Sequence, residues 1–305
     1  MTVLRPLSIV AILFCLAVPV MAQSSYDEAV ALFEDKHFAE ARVEAEKAAK
    51  AGDARAMAML GVIYQDGLGI PADLTKAVDH FAAAAEKGNV GAQYSLAQIY
   101  LDGALGEADA ERGRYWLLKA AEQGKVEAEH RLGLQAAGDE DTLPDWPEAA
   151  NWFRKAAEQG YADSQYNLGI LYLEGKGVDK DPVRAGEWFA KAAVQGHADA
   201  ALDYGVMVFR GDGVKKDEKV GADWLLVSAR RGNPVAQNRV ARLYAVGRVF
   251  GLDPSEAMKW HILASRGGRA DVWLDEYVAK LTNAQQQEAQ RRADAFVPVS
   301  AKAGG

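Results

Sequence analysis

A strict internal repeat constrains the fold of this 305-residue chain more than any other feature of its sequence. Glycine recurs every 36 residues, and tryptophan keeps the same step over five units, with His80 in the matching place one unit earlier. A fixed period of roughly 20 to 50 residues is the signature of a repeat architecture. The two registers are Gly52, Gly88, Gly124, Gly160, Gly196, Gly232 and Gly268, and Trp116, Trp152, Trp188, Trp224 and Trp260.

Two further registers of small and large apolar residues define six units between residues 53 and 268. They are Ala56, Ala92, Ala128, Ser164, Ala200 and Ala236, followed by Leu60, Leu96, Leu132, Leu168, Tyr204 and Val240.

The unit 161–196 shows what each repeat should form. Residues 162–174 carry Leu168, Leu171 and Tyr172 at helical spacing, and the Gly-Lys-Gly sequence 175–177 then ends that helix. Proline suits a first helical turn, so residues 181–182 (Asp-Pro) should begin a second helix that Gly196 closes as a C-cap. Each unit is therefore predicted to be a helix–loop–helix hairpin.

Small residues at the ninth position of each unit, such as Gly169, should let the helices approach closely, and the recurring Trp or Phe should fill the space between neighbouring hairpins. One hairpin cannot bury its apolar face alone, so the units should stack. We predict an all-α fold, an α-solenoid with right-handed superhelical curvature. Residues 25–52 should form an N-terminal capping hairpin and residues 269–297 C-terminal capping helices, with a capping box at Thr282 to Gln285 and a disordered tail over 298–305.

The N-terminus has the pattern of a secretory signal peptide over residues 1–22. Arg5 precedes a 12-residue apolar run, and residues 20–22 (Val-Met-Ala) offer a cleavage site after Ala22. The run is shorter than the about 20 residues that span a bilayer, although an uncleaved anchor or a buried helix is the alternative. We expect a periplasmic or secreted protein without stable membrane insertion after cleavage. The single cysteine, Cys15, lies in this segment, and the net charge of −8 argues against nucleic acid as a partner.

The segments 162–178 and 185–196 resemble the Sel1-like repeat, a 36-residue relative of the tetratricopeptide repeat, and the resemblance extends over residues 53–268. The opening hairpin is similar to an ordinary tetratricopeptide unit through Phe38, Ala41 and Ala48. The resemblance implies an α-solenoid that scaffolds protein complexes or regulates signalling, and exported bacterial members are linked to envelope sensing or host interaction.

Two units depart from the repeat pattern. Unit 125–160 lacks the Gly-x-Gly loop and has acidic residues at 139–141, whereas unit 89–124 has Gly103 and Gly106 in a longer spacing. Cysteine-rich members of the family, some of which bind or cleave β-lactams, carry a disulfide in each repeat. This chain has no such cysteines, which disfavours that activity.

The sequence contains no motif for catalysis or for binding a cofactor or metal. It has neither Ser-x-x-Lys nor His-Glu-x-x-His, and its five histidines are too far apart for a helical metal site. The glycine pairs do not match a phosphate loop, and the acidic run 139–141 lacks the spaced oxygen ligands of a calcium loop. The tryptophan register fits core packing better than a sugar-binding stripe. We expect a non-enzymatic protein without cofactors.

Positions that vary between units point to the binding surface. Unit positions 3, 6, 10 and 13 share one stripe of the first helix, which lines the concave groove in tetratricopeptide repeats. Aromatic and polar side chains on this stripe suit a groove for an extended peptide or a helix, although ordinary packing or solvent contact is the alternative reading. The predicted groove residues are Tyr94, Gln98, His130, Tyr166, Asn238 and Arg242.

The sequence therefore predicts a protein–protein interaction scaffold or adaptor of the cell envelope that holds an unidentified protein or peptide. Two alternatives remain open at this point. One is a periplasmic regulator of a membrane sensor. The other is a binding protein or hydrolase related to peptidoglycan or β-lactams.

Overall fold

A computed structural model describes residues 20–138 and 142–299 of the chain. All regular structure within these ranges is α-helical, which confirms the predicted all-α repeat solenoid. The helices form two compact units, each of which contains more than one of the 36-residue repeats. The first unit ends at Lys125, and the second unit begins at Val126. The predicted signal sequence up to residue 19, the acidic run 139–141 and the tail 300–305 lie outside the described residues.

The first unit contains three helical hairpins. In each hairpin two successive helices pack together, and the second helices of the first two hairpins also pack against the first helix of the hairpin that follows. The helices are α1 (Val20–Glu34), α2 (Phe38–Lys50), α3 (Ala54–Asp66), α4 (Leu74–Glu86), α5 (Val90–Leu101) and α6 (Ala110–Glu122).

The second unit contains four hairpins and two terminal helices. α14 packs against both of the terminal helices. The helices are α7 (Val126–Ala137), α8 (Trp146–Glu158), α9 (Ala162–Glu174), α10 (Pro182–Val194), α11 (Ala198–Arg210), α12 (Glu218–Arg230), α13 (Pro234–Val246), α14 (Pro254–Arg266), α15 (Val272–Val278) and α16 (Asn283–Asp294).

The loops explain the regular placement of glycine. Gly196 follows the last turn of α10 with φ of 95°, a left-handed conformation that L side chains rarely adopt. Gly177, the second glycine of a Gly-x-Gly loop, lies so close to the Trp146 carbonyl that any side chain would overlap it. The loop glycines therefore fix both the end of a helix and the approach of one hairpin to the preceding one.

The seam between the two helices of the hairpin 162–194 is filled by a phenyl ring, and the position of this ring corrects the sequence prediction. A Cβ on Gly169 would lie 2.6 Å from the Phe189 ring, and Phe189 is fully buried. The recurring tryptophan precedes this residue by one position, and Trp188 is only half-buried, with Lys191 3.8 Å from its ring centroid. The ring also lies within a hairpin rather than between neighbours, because Gly169 and Phe189 belong to α9 and α10 of the same hairpin.

A ladder of buried glutamines joins successive hairpins. The Gln165 side chain donates to the Ala157 carbonyl over 3.1 Å and accepts a 2.7 Å hydrogen bond from Gln195 Nε2. Gln93 makes the same pair of contacts in the first unit, with the Ala85 carbonyl and Gln123. Because a buried amide without partners is costly, these bonds fix the register between hairpins.

The ends of the chain differ from the repeats. Thr282 and Gln285 form the predicted capping box at the start of α16. The backbone N–H of Val299 donates a 2.9 Å hydrogen bond to the Arg230 carbonyl, so the described start of the tail is held against the second unit, where the sequence predicted disorder. The predicted cleavage site after Ala22 falls in the first turn of α1.

Candidate functional site

The first helices of the hairpins in the first unit line an open cavity of about 380 Å³. Its wall combines residues of α3 at the predicted stripe positions with the start of α5 and two aromatic side chains of α1. Most of its lining is apolar, which suits a hydrophobic segment of another protein. The residues that the cavity shares with the predicted stripe are Arg55, Ala58, Val62 and Gly91.

Tyr94 and Gln98 lie one turn apart on α5 and contact each other. The Gln98 amide lies 3.4 Å from the Tyr94 hydroxyl, and the Lys125 ammonium lies 5.6 Å from the centre of the Tyr94 ring. Both predicted groove residues remain partly accessible. A half-buried aromatic ring with a polar edge and a nearby cation can contact a polypeptide without a large loss of side-chain freedom.

His130 in the second unit links the first helices of two successive hairpins. Its Nδ1 lies 2.8 Å from the hydroxyl of the buried Ser164, and its ring packs against Tyr161 with centroids 4.8 Å apart. Burial lowers the pKa of the His130 imidazole, so the ring is neutral near pH 7. This histidine supports the stacking of repeats, and a role in binding stays a prediction.

Tyr166 makes the equivalent link between α9 and α11. Its hydroxyl donates a 3.3 Å hydrogen bond to Asp203, and its ring stacks on His197 with centroids 4.5 Å apart. Burial raises the pKa of the Tyr166 phenol and also the pKa of the Asp203 carboxyl. The phenol therefore remains a neutral donor, and only part of its surface is open to a partner.

Asn238 and Arg242 are brought together by Asp271, the N-cap residue of α15. The Asn238 amide donates a 2.7 Å hydrogen bond to Asp271, and the Arg242 guanidinium donates two bonds of 2.7 and 2.8 Å to the same carboxylate. The Arg242 guanidinium holds the pKa of this carboxyl well below its usual range. Both predicted groove residues thus tie the last repeat to the C-terminal helices.

A second cavity, of about 180 Å³, opens between α11 and α13 in the second unit. Most of its lining is apolar, and it also contains three arginines, of which only Arg242 belongs to the predicted groove residues. The lining residues are Val206, Phe209, Arg210, Leu225, Arg239, Arg242 and Leu243. Arg239 and Arg210 occupy unit positions 7 and 14, outside the stripe 3, 6, 10 and 13. The signal that could have found them was the exchange of Asp203 for Arg239 at position 7 in consecutive units.

Within ranges 20–138 and 142–299, no cluster of three or more potential ligands could hold a metal ion. In the same ranges, no helix combines the length and apolarity needed to cross a bilayer.

Comparison with solved structures shows the same architecture in two bacterial proteins. The chain is similar to c5321, a protective antigen present in uropathogenic Escherichia coli strains that displays an SLR fold, with a TM-score of 0.77 and 29% identity. That match covers 90% of this chain but only 60% of the antigen. A Sel1 repeat protein from Oxalobacter formigenes has a TM-score of 0.70 and 28% identity, over 90% of this chain and 83% of the other. No curated protein matches the chain by sequence.

The model of the Sel1 repeat family matches six consecutive segments, which together extend over most of the chain. The matched segments are residues 54–89, 90–125, 126–161, 162–197, 198–233 and 234–268. Such repeats generally serve as protein–protein interaction modules and not as enzymes. The hairpin geometry, the repeat length and this match agree, and the chain belongs to the Sel1 repeat family.

Proposed function

We propose that this protein is a non-enzymatic adaptor of the cell envelope that holds a peptide or protein segment on the surface formed by the first helices of its hairpins. The observation that carries the proposal is the pair of cavities lined largely by those helices. One lies in each unit, and both have a mostly apolar lining. Apolar concavities with a few polar groups are the usual places where side chains of a partner are anchored.

The variable residues of the first helices support this surface over the second helices. The repeated core positions, such as Leu168 and Phe189, are buried and serve the fold. Tyr94, Gln98 and Arg242 occupy positions at which the residue type changes along the series of repeats, and they keep accessible surface. Residues that change between units while the core stays constant are free to specify a ligand.

Export is the part of the proposal that rests on sequence alone. A signal segment over residues 1–22 would deliver the repeats to the periplasm or the medium. Cell fractionation and mass spectrometry of the purified protein test this directly. The expected mature N-terminus is Gln23, and a protein that keeps residue 1 and remains in the cytoplasm would contradict export.

Site-specific photo-crosslinking in the native host tests the binding surface. A photoreactive residue at Val206 in α11 should form an adduct with a partner protein, whereas the same residue at Val220 in α12, which is 42% exposed, should not. Val62 in α3 and Val43 in α2 provide the same comparison in the first unit. Equal labelling from both members of a pair would refute the proposed surface.

Identification of the adducts also separates the possible roles. The exported domain of a membrane sensor among the adducts would favour a signalling regulator over an assembly scaffold. Sedimentation of the purified protein with peptidoglycan, without any protein adduct, would replace the adaptor proposal with a cell-wall binding function.

A further inference from the structure

The cavity between α11 and α13 gathers positive charge in a chain whose net charge is −8. Arg210, Arg239 and Arg242 line it, and Arg239 and Arg242 also line an adjoining cavity of about 410 Å³ together with Arg269. Two carboxylates act on these four guanidinium groups: Asp271 pairs with Arg242, and the charge of Asp203 acts on Arg239. Positive charge therefore exceeds negative charge at this place.

The arginines differ in their partners. Arg242 is neutralised by its two hydrogen bonds to Asp271. In the part of the chain that the structure describes, Arg210, Arg239 and Arg269 form no ion pair. The Nε–H of Arg239 is buried and has no hydrogen-bond partner. A buried donor without a partner costs stability, and the cost is removed when a ligand supplies the acceptor.

The electrostatics of Arg239 agree with this geometry. Burial, followed by the charges of Arg210 and Arg269, lowers the pKa of the Arg239 guanidinium, and the Asp203 carboxylate opposes that effect only in part. Asp203 itself accepts a hydrogen bond from Tyr166. An incoming anion would relieve the repulsion among the three arginines.

The apolar lining of the cavity indicates a second property of the ligand, an apolar side chain. Val206, Phe209 and Leu243 form an apolar surface next to the guanidinium groups. A cavity of roughly 150 Å³ takes up a benzene molecule, so the volume of about 180 Å³ has room for one large aliphatic or aromatic side chain. Nucleic acid and other long polyanions fit poorly, because the rest of the acidic chain repels them.

From these contacts we infer that the α11–α13 cavity is a docking site for an acidic peptide segment of a partner protein, in which a carboxylate lies next to a large apolar side chain. The carboxylate binds the forks of Arg239 and Arg210, which match its two oxygens. The neighbouring side chain fills the space above Val206 and Leu243. This inference rests on the proposed adaptor function and gives the partner its chemistry.

Selection from a random hexapeptide library displayed on its encoding RNA, with the purified protein as bait, tests the inference. Enriched sequences should contain Asp or Glu beside Leu, Ile, Phe or Met. Their affinity, measured by fluorescence anisotropy, should fall as NaCl concentration rises. Replacing the acidic residue by its amide, or the apolar residue by serine, should each weaken binding.

The double variant Arg210→Gln/Arg239→Gln should weaken binding of the best peptide by roughly tenfold for each arginine removed. Arg112→Gln/Arg291→Gln removes the same total charge from exposed sites elsewhere and should leave the affinity unchanged. Circular dichroism and urea unfolding confirm that each variant is folded. Arg269→Gln, at an exposed position, provides a milder variant for which a smaller loss is expected.

Three results would overturn the inference. The first is that the enriched peptides lack acidic residues, and the second is that the Arg210/Arg239 double variant binds with unchanged affinity. The third is that inorganic phosphate binds this site more tightly than the acidic peptides do. Peptides that bind another part of the first-helix surface would refute this site alone. Adducts absent from every first-helix position in the crosslinking experiment would refute the adaptor function itself.

Discussion

The contact between Gly169 and Phe189 leads to the sharpest prediction about stability. A Cβ at residue 169 would lie 2.6 and 2.7 Å from two ring atoms of Phe189, whereas ordinary carbon contacts are about 3.5 to 4.0 Å. Phe189 is fully buried within an apolar cluster of the core. The Gly169→Ala variant should therefore cost about 1 to 3 kcal/mol in overpacking, against a gain of about 1 kcal/mol in helix propensity.

The matched control is Gly91→Ala, because the nearest atom to its added Cβ lies 3.4 Å away, at the side chain of Asn89, which is close to an ordinary van der Waals contact. This variant should be neutral or slightly more stable, so the difference between the two alanine variants isolates the overpacking cost. Urea unfolding followed by circular dichroism gives both values, with unchanged m-values as the check that the denatured states are comparable.

The repeats themselves suggest the rescue. Ala97 and Leu117 occupy the positions of Gly169 and Phe189 in the repeat 89–124. The double variant Gly169→Ala/Phe189→Leu recreates that pair and should be more stable than the sum of its two single variants by at least about 0.5 kcal/mol. Strict additivity, or a Gly169→Ala variant as stable as Gly91→Ala, would refute the proposed seam.

Three further predictions concern buried polar groups. Glu129 is buried where other units have Gln93, Gln165 and Gln237, and burial raises the pKa of its carboxyl. Glu129→Gln should therefore increase the free energy of unfolding by about 1 kcal/mol at pH 7. This gain, measured from urea midpoints, should disappear as pH falls from the raised pKa of the folded state towards the pKa of a glutamate in the unfolded chain, about 4.3. Gln165→Leu should cost about 1 to 3 kcal/mol, because the Ala157 carbonyl and the Gln195 amide lose their partner, and a neutral effect in urea unfolding would contradict the ladder. Asp271→Asn should cost about 1 kcal/mol at neutral pH, a figure reduced because half of the Arg242 side chain is exposed and screened by solvent. Because the folded-state pKa of Asp271 is depressed, this cost should begin to fall as pH drops below the unfolded-state pKa of about 3.9 and should vanish only when pH falls through the folded-state pKa. A cost that does not fall at acidic pH would refute the ion pair.

The fold could be predicted from the sequence because the same helix-ending glycines and buried apolar positions recur in six repeats. The positive φ of Gly196 and the capping box at Thr282 are local features that short sequence patterns specify. The sequence predicted a recurring Trp or Phe between neighbouring hairpins, and its regularity favoured the Trp register, whereas Phe189 packs between the two helices of one hairpin. Only the packing shows that the phenyl ring faces the seam while Lys191 covers the indole.

The candidate site was less accessible to sequence reasoning. The predicted stripe included Tyr166 and Asn238, whose polar atoms bond to the following hairpin or helix. Periodicity cannot distinguish a side chain that joins repeats from one that faces a partner. Arg210 and Arg239 were missed because they come together only when α11 packs near α13, and their lack of partners is visible only in three dimensions.

A crystal structure of the protein with the tightest peptide from the selection tests most directly whether the first helices form the binding surface. We expect density along α11 and α13, with a carboxylate about 2.7 to 2.9 Å from the Arg239 or Arg210 nitrogens and an apolar side chain against Val206 and Leu243. A peptide bound to the second helices, or one whose carboxylate points away from these arginines, would contradict it.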